Sequence, residues 1–373
     1  MKVEVNTQAL AEATAWTTRV IPSRPASPIL SGVKLEAFNG VLQLSAFDYE
    51  ISSRHHIEAG IDEPGTVIVL GKLLTDIVKS LPEEVTTLQT DDTRLTISSG
   101  KTSFILQLMP EQDYPDLPVV PPTLGTIDGQ VFANAIAQAS VAVAREENRP
   151  VLTGIHMQFT GEQVVLTATD RFRLSRATFN WSPQNPDIAV QTLVRGAYLK
   201  DIARSLNTAQ DLTLDFAPDA PTLMGFENDG RSSTVQLIDG EFPTVDRLFA
   251  DEYPIHAVIE KQLLLDAIRR VALVAERNAP IRMAFNGDEV SLSASGDEQS
   301  GHDVLPVDLD GNEIMVAFNP TYLVEGLSAI REPYVRMKMT DSLKAVEFNG
   351  QQEATGDESL AYRYLLVPMR SAE

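Results

Sequence analysis

Apolar residues in this chain switch between a helical spacing and a two-residue spacing, and the switch occurs three times. Three segments begin with apolar positions at helical spacing and end with an arginine close to a proline: 7–25, 130–150 and 261–280. This spacing predicts an amphipathic helix with one buried face. We therefore expect three similar units, each of which begins with a helix.

A β-hairpin is predicted after the proline of each unit. Residues 28–48 and 150–170 alternate polar and apolar side chains around a turn that contains glycine, which is typical of two antiparallel strands. The proline that opens the hairpin and the aspartate that closes it are equally far apart in these two copies. The third copy, 280–295, is shorter but follows the same pattern.

Each unit then continues with a short second helix and closes with strands. The second helices are predicted at 71–81, 195–206 and 319–330, and the closing strands end in the related segments 104–110, 233–239 and 362–368. The order of elements predicts an α+β chain of three tandem repeats, each with two helices packed on antiparallel sheets. The expected domains are 1–121, 122–250 and 251–373, with proline-rich joins between them.

Three units in a row leave a free sheet edge at the first and at the last unit, and free edges pair with other chains unless they are covered. A head-to-tail contact between chains either closes into a ring or continues as a filament. Two chains that close a ring would use both free ends.

The net charge of −22, from 30 basic and 52 acidic residues, argues as a total against nucleic acid. The helix windows 7–20, 71–81, 130–145, 195–206, 261–277 and 319–331, however, hold 12 basic and 6 acidic residues, a net charge of +6, so the rest of the chain carries −22 − 6 = −28. If the helices share a surface, that surface is positive and suits phosphates. The alternative is that lysine and arginine are simply good helix formers.

Catalytic and metal-binding motifs are missing from the sequence. Residues 65–73 lack the spacing and the Ser or Thr of a phosphate-binding loop, and there is no zinc or nucleophile-elbow motif. His55 and His56 are neighbours on a predicted strand, where they would face opposite ways as surface polar residues. We expect no cofactor and no metal. A hydrolase that uses Asp170 or Asp341 is the alternative that this absence disfavours.

Membrane and secretory segments are not expected either. The sequence contains no cysteine, no apolar run long enough to span a bilayer and no signal-peptide core at its start. These features predict a cytoplasmic protein without a membrane partner.

Five segments together resemble the family of bacterial replication sliding clamps, the DNA polymerase III β subunits. They are TATDRFRLSR (167–176), DGEFPTVDRLF (239–249), FNPTYL (318–323), MTDSLKAVEF (339–348) and YLLVPMR (364–370). The resemblance implies a non-catalytic homodimeric ring of six domains, with helices around a central hole and sheets outside. Such a ring encircles duplex DNA without reading its sequence and tethers polymerases, which raises their effective concentration.

The resemblance also implies an apolar pocket that binds short peptides. The partners are the DNA polymerase III α subunit, the clamp loader, other polymerases and repair proteins. Matching positions are Leu152, Thr169, Arg173, Leu174, Pro243, Arg247, Leu248, Asn319, Tyr322, Leu343, Ala345, Leu365, Leu366, Val367, Pro368, Met369 and Arg370, and the sequence departs from the family pattern at Arg171, Phe172 and Asn278. Three of the arginines, at 173, 247 and 370, could hold a peptide carboxylate or backbone.

DNA contacts are implied by the same resemblance at five basic residues. Arg24 and Arg149 match positions on the turns that face the hole, Lys72 and Arg195 open second helices, and Arg145 is a neighbour. A different class of function, a repeat-built scaffold that binds only proteins and does not encircle DNA, shares the pocket but not these contacts. Charge reversal at Arg24 and Arg149 distinguishes the two hypotheses.

Overall fold

The structure is a computed structural model that describes residues 1–146, 148–276, 279–296 and 299–370. Its six α-helices lie where the helical spacing predicts them, two in each sequence unit. They are α1 (Thr7–Thr17), α2 (Gly71–Lys79), α3 (Gly129–Ala139), α4 (Gly196–Ser205), α5 (Lys261–Val271) and α6 (Pro320–Ala329). None of the described helices is long and apolar enough to cross a membrane.

Strands make up most of the remaining regular structure. In chain order they are β1 (Lys2–Asn6), β2 (Gly32–Phe38), β3 (Val41–Phe47), β4 (Ile51–Glu63), β5 (Gly65–Leu70), β6 (Val85–Thr90), β7 (Arg94–Ser99), β8 (Thr102–Gln107), β9 (Thr123–Asp128), β10 (Gly154–Thr160), β11 (Gln163–Thr169), β12 (Arg173–Asn180), β13 (Ser182–Pro183), β14 (Ala189–Arg195), β15 (Asp211–Phe216), β16 (Leu223–Asn228), β17 (Arg231–Gln236), β18 (Ile255–Glu260), β19 (Ile281–Asn286), β20 (Glu289–Ser295), β21 (Ser300–Pro306), β22 (Asp308–Asp310), β23 (Ile314–Phe318), β24 (Tyr334–Met339), β25 (Val346–Gln351) and β26 (Glu358–Leu366).

The three predicted hairpins are present as β2–β3, β10–β11 and β19–β20, each an antiparallel pair. Their turns contain the glycines Gly40, Gly161 and Gly287, which all have positive φ. Glycine adopts this backbone conformation without steric cost, so the turn residues of the sequence fix where each hairpin reverses.

The chain divides into two compact units. The first contains Met1–Gln130, Ser182–Asn185 and Arg204–Leu237. Its thirteen strands form one sheet with the order β13-β9-β15-β16-β17-β4-β1-β6-β7-β8, and β2, β3 and β5 extend it from β4. The strand β8 therefore ends this sheet, with one edge unpaired among the described residues.

Helices α1 and α2 pack together on the first unit's sheet. The Asn6 side chain caps α1 by accepting a hydrogen bond from the backbone N–H of Ala9 at 3.0 Å. The apolar face of α1, including Leu10 and Ala13, and that of α2, including Leu74, are buried in one hydrophobic cluster with side chains of β1–β8. Burial of these two apolar faces stabilises helices that are too short to be stable by themselves.

The second unit contains Val131–Trp181, Pro186–Ala203 and Ile238–Glu373. It holds a nine-stranded sheet, β14-β10-β11-β12-β26-β25-β24-β18-β22, and a four-stranded sheet, β21-β20-β19-β23. At the centre of the larger sheet β12 pairs with β26, which lies almost two hundred residues later, with Arg173 opposite Leu366 and Arg176 opposite Arg363. The sequence pattern gave no signal for this pairing.

One histidine expectation is wrong. His55 is only 8% exposed, and its ring packs edge-on with the Trp16 ring, with 5.8 Å between the two ring centroids. His56, on the other face of β4, is exposed. Burial, with smaller effects from the charges of Arg231 and His56, lowers the pKa of His55 to about 4. Neither histidine belongs to a group of three or more potential metal ligands among the described residues.

Candidate functional site

The loop between β11 and β12 forms the centre of the candidate site, in the second unit. Asp170 folds the loop because its Oδ1 accepts hydrogen bonds from the backbone N–H groups of Phe172 and Arg173, both at 3.1 Å. The Thr169 hydroxyl donates to the Arg173 carbonyl at 2.8 Å. Between them Arg171 has φ +81°, a left-handed conformation that is uncommon outside glycine. The result is that the Phe172 ring, 53% exposed, points into solvent.

Arg173 supports the loop from the interior. Its side chain is 2% exposed and forms ion pairs with Asp170 at 2.9 Å and Glu325 at 2.5 Å. The guanidinium carbon lies 4.1 Å from the ring centroid of Tyr322, and the rings of Tyr322 and Phe172 stack at 6.5 Å. Burial alone would lower the pKa of Arg173, but the Tyr364 hydroxyl and the two carboxylates outweigh burial and raise it. Because the chain's own carboxylates already occupy its guanidinium, Arg173 is placed to hold Tyr322 and the loop.

A cavity of about 200 Å³ opens beside this loop. Its wall combines an apolar shelf with several arginines, which suits a peptide that carries both apolar and acidic groups. It includes residues predicted for the peptide and two predicted for DNA: Ala144, Arg145, Glu146, Asn148, Arg149, Leu152, Asp170, Arg171, Phe172, Arg173 and Tyr322. Arg145, with a side chain 78% exposed, pairs with Glu325 at 2.9 Å.

A second group of predicted residues gathers around the β12–β26 pair. Leu174 and Leu365 face each other across the two strands and form a small hydrophobic cluster with Val245, against which Phe242, Phe249 and Ala345 pack. Pro243, Arg247, Leu248 and Leu343 are exposed, and they lie within three residues of Val245 or Ala345 in the chain. The cluster thus brings together residues that the sequence spreads over nearly two hundred positions.

The carboxy-terminal segment of the described chain runs along the loop. The Val367 N–H donates to the Phe172 carbonyl at 2.9 Å, and the Met369 N–H donates to the Ala317 carbonyl at 2.7 Å. Leu366 and Pro368 are buried, Val367 and Arg370 are exposed, and Met369 is half-buried. Asn319 lies nearby as the cap of α6, where its side chain accepts hydrogen bonds from the N–H groups of Thr321 and Tyr322. The structure therefore gathers the predicted peptide residues in one region, while Asn278 lies outside the described residues.

The remaining predicted DNA residues are spread over both units. In the first unit Arg24 is exposed, and Lys72 lines a groove of about 760 Å³ between α2 and the end of the first helical segment. In the second unit Arg149 is exposed on the cavity wall, and the half-buried Arg195 lies 5.8 Å from the ring centroid of Tyr198.

Five residues that shape the site were not predicted from the sequence. Glu325, which pairs with Arg173, lies one helical turn after Tyr322, so the three-residue spacing on α6 was an available signal. Phe249, Asp246 and Val245 lie within the quoted 239–249 segment but were not selected, and Arg176 follows the loop on β12. For these four, only the pairing of β12 with β26 reveals their role.

Comparison with known proteins gives one consistent result. Family models for the DNA polymerase III beta subunit match the chain in order: the N-terminal domain at 1–118, the central domain at 126–244 and the C-terminal domain at 246–369. The beta sliding clamp of Streptomyces coelicolor is 41% identical over 373 residues, 99% of each chain, and that of Micrococcus luteus is 39% identical over 311 residues, 83% of this chain and all of its own.

Solved structures agree on the fold. The DNA polymerase sliding clamp of Bacillus subtilis has a TM-score of 0.93 at 22% identity over the whole of both chains. A sliding clamp of Pseudomonas aeruginosa bound to griselimycin has a TM-score of 0.92 at 23% identity, again over the whole of both chains. The expected α+β fold of three tandem domains is thereby confirmed.

Proposed function

Because the chain belongs to the DNA polymerase III beta subunit family, we propose that it is a sliding clamp, in which two chains close a ring around duplex DNA and hold polymerases on it. It is a non-catalytic accessory subunit, and the enzyme alternative is set aside. The partners are a second copy of the chain, duplex DNA bound without sequence preference, the DNA polymerase III α subunit, the clamp loader, and other polymerases and repair proteins. We place it in the cytoplasm and keep 1–121, 122–250 and 251–373 as its domain boundaries.

The observation that carries the proposal is that distant segments containing the predicted peptide residues meet in the second unit. Strand pairing in the second unit brings the loop at 169–173 against the tail at 366–370, with α6 beside both. Exposed apolar side chains of Phe172, Leu248, Leu343 and Val367 surround this junction. Such side chains cost free energy in water, and a partner peptide would cover them.

Ring closure is assigned to two edge strands, one in each unit. In the first unit β8 is an edge strand, and its Ile105 side chain is 63% exposed. In the second unit β21 is an edge strand that carries Val304, and Leu273, 83% exposed, follows the neighbouring helix α5. Pairing of β8 of one chain with β21 of the other, made twice, closes a dimer and covers these apolar side chains.

The DNA-facing surface is assigned to the helices. Seven basic side chains that lie in α2, α4 or α5, or just after α1, are exposed: Arg19, Lys72, Lys79, Lys200, Arg204, Arg269 and Arg270. Arg24, Arg145, Arg149 and Arg195 extend this set at the turns and at the start of α4. Contacts of this kind neutralise phosphates, so binding is independent of sequence and weakens with salt.

Encirclement is tested by retention on DNA. The clamp is loaded on a nicked circular plasmid by its loader and separated from free protein by gel filtration, and half of the sample is cut once by a restriction enzyme. A ring slides off the linear form and stays on the circle, whereas equal retention on both contradicts encirclement. The double variant Arg24→Glu, Arg149→Glu reduces loading if these residues face DNA. Unchanged loading favours the protein-only scaffold.

The peptide site is tested with griselimycin, the molecule held by the Pseudomonas aeruginosa clamp. Isothermal titration calorimetry of the wild-type chain is expected to show one griselimycin per chain. Leu248→Asp and Val367→Asp place a charge on the exposed apolar rim and should weaken binding, whereas Val119→Asp, at an exposed apolar position in the first unit, should not. Equal affinities in all three variants contradict the assignment.

A further inference from the structure

Two arginines face each other across the β12–β26 pair. Arg176 and Arg363 are direct cross-strand partners, an arrangement in which like charges repel. The ring of Phe249 lies against both: its centroid is 3.8 Å from the guanidinium carbon of Arg363 and 4.7 Å from that of Arg176. The face of an aromatic ring attracts cations, so one ring offsets part of the repulsion between two guanidinium groups.

Acidic groups complete the neutralisation. Arg176 donates to Asp246 at 2.6 Å. Arg363 donates to both carboxylate oxygens of Glu347, at 2.6 and 2.9 Å, and the Glu347 side chain is fully buried. Burial alone would raise the pKa of Glu347, but the hydrogen bonds from Arg363 and Tyr253 and the charge of Lys338 outweigh it, so the pKa lies below its ordinary value.

These contacts converge on one stretch of chain, residues 246–253, which we call the linking segment. Asp246 and Phe249 meet the two arginines, and the hydroxyl of Tyr253 donates to Glu347 at 2.7 Å while accepting from the N–H of Ala250 at 3.1 Å. The segment is therefore attached at both its ends to β12, β25 and β26. Between the attachments lie Arg247 and Leu248, both exposed and both predicted to contact the peptide.

In the first unit an arginine also holds the connecting chain, through a simpler contact. Arg54 on β4 donates to the backbone carbonyl of Pro118 at 2.5 Å, and residues 108–122 connect β8 with β9. Arg54 and Arg176 each lie six positions after the aspartate that closes the predicted hairpin of their repeat. Two repeats thus use an arginine at the same position to hold the chain that leads to the next domain, but only the second holds it through an aromatic ring as well.

We infer that Arg176, Arg363 and Phe249 are positioning residues for peptide binding, which fix the turn at Asp246–Leu248 so that Leu248 and Arg247 meet a partner peptide without further ordering. The inference rests on the proposed peptide site. A turn that is already ordered adds affinity because binding does not have to restrict it. Loss of the ring should weaken binding although Phe249 itself need not touch the peptide.

The test compares Phe249→Leu with Phe249→Tyr. Leucine keeps an apolar group beside Leu174 and Leu365 but removes the aromatic face, whereas tyrosine keeps the face. Griselimycin affinity by calorimetry should fall about three- to tenfold in Phe249→Leu, in line with the usual strength of cation–π contacts, and should stay within twofold of wild type in Phe249→Tyr. Arg176→Gln should weaken binding in the same range.

A matched control is Arg54→Gln, which removes the corresponding hydrogen bond from the first unit and should leave griselimycin affinity within twofold of wild type. Hydrogen exchange of the free protein provides a second readout. The N–H groups of Leu248 and Phe249 donate to Val245 and Asp246, so both should exchange faster in Phe249→Leu and Arg176→Gln than in wild type.

The outcomes separate the inference from the proposed function. Wild-type affinity in Phe249→Leu, or an equal loss in Phe249→Tyr and Arg54→Gln, overturns the positioning role. If the wild-type chain itself does not bind griselimycin, the proposed peptide site fails. The exchange rates at Leu248 and Phe249 then still decide whether the arginines and the ring hold the turn.

Discussion

Arg173 on β12 and Glu325 on α6 form an ion pair at 2.5 Å although 152 residues separate them in the sequence. The arginine side chain is 2% exposed and the glutamate 31% exposed, so the arginine is almost fully enclosed whereas the glutamate is partly open to solvent. The same glutamate also pairs with Arg145 at the surface. The two ion pairs that share Glu325 therefore differ greatly in how far their arginine is buried.

This difference predicts unequal effects on stability. Arg173→Gln should lower the free energy of unfolding by about 2–4 kcal/mol, because it leaves Asp170 and Glu325 without their shared cation and removes the contact with Tyr322. Arg145→Gln should cost less than about 1 kcal/mol, as is usual for exposed ion pairs. Urea unfolding of both variants provides the measurement, and equal losses would argue against the buried role of Arg173.

Arg171 should be replaceable by glycine with a gain in stability. Its φ of +81° costs a side-chain-bearing residue about 1 kcal/mol, which glycine does not pay. Arg171→Gly should therefore unfold at higher urea concentration than Arg171→Ala, by about 1 kcal/mol in free energy. Alanine is the control because it removes the same side chain but keeps the unfavourable φ. A glycine variant no more stable than the alanine variant would show that the loop is unstrained.

The burial of His55 predicts a specific loss of stability in acid. The unfolded chain binds a proton at His55 near pH 6.5, but the folded chain binds it only near pH 4. Between these values the unfolded state holds more protons, so stability falls as the pH drops below 6.5 and the loss levels off below 4, at about 3 kcal/mol. No such loss is expected above pH 6.5.

His55→Gln removes this proton and should flatten the pH dependence of unfolding between pH 7 and 4. His56→Gln is the control: it removes the exposed histidine next to His55 and should change the slope far less, because the charge of His56 is only a minor cause of the low pKa of His55. The slopes are compared, since His55→Gln also alters the packing on Trp16 at every pH. Parallel slopes in wild type and His55→Gln would mean that another group causes the acid sensitivity.

Dimer closure should depend on the exposed apolar side chain of Leu273. Leu273→Asp places a carboxylate where the proposed contact would exclude water, so the dimer should dissociate into single chains at micromolar concentration. Light scattering after size exclusion measures the mass. Val119→Asp, which charges an equally exposed position in the connection between β8 and β9 and outside the strands assigned to the interface, should remain dimeric. A dimeric Leu273→Asp variant would place the interface elsewhere.

Much of the fold could be predicted because its signals are local. The helix windows and hairpins follow from apolar spacing within about twenty residues and from glycine at the turns, and the structure confirms both. The three repeats made the same elements visible three times. The family resemblance predicted the individual peptide residues. Those that the structure describes lie together around the 169–173 loop and the β12–β26 pair.

Tertiary structure alone decided how those local elements join. Apolar spacing indicates which face of a strand is buried, but it does not indicate which strand lies beside it, because the backbone groups that pair two strands are the same whatever the side chains. The pairing of β12 with β26, the ion pair of Arg173 with Glu325 and the ring of Phe249 between two arginines all depend on that choice. The burial of His55 depends on it in the same way. The sequence by itself therefore determined the repeats, the elements and the family, while the three-dimensional packing determined the charges and contacts that hold the site.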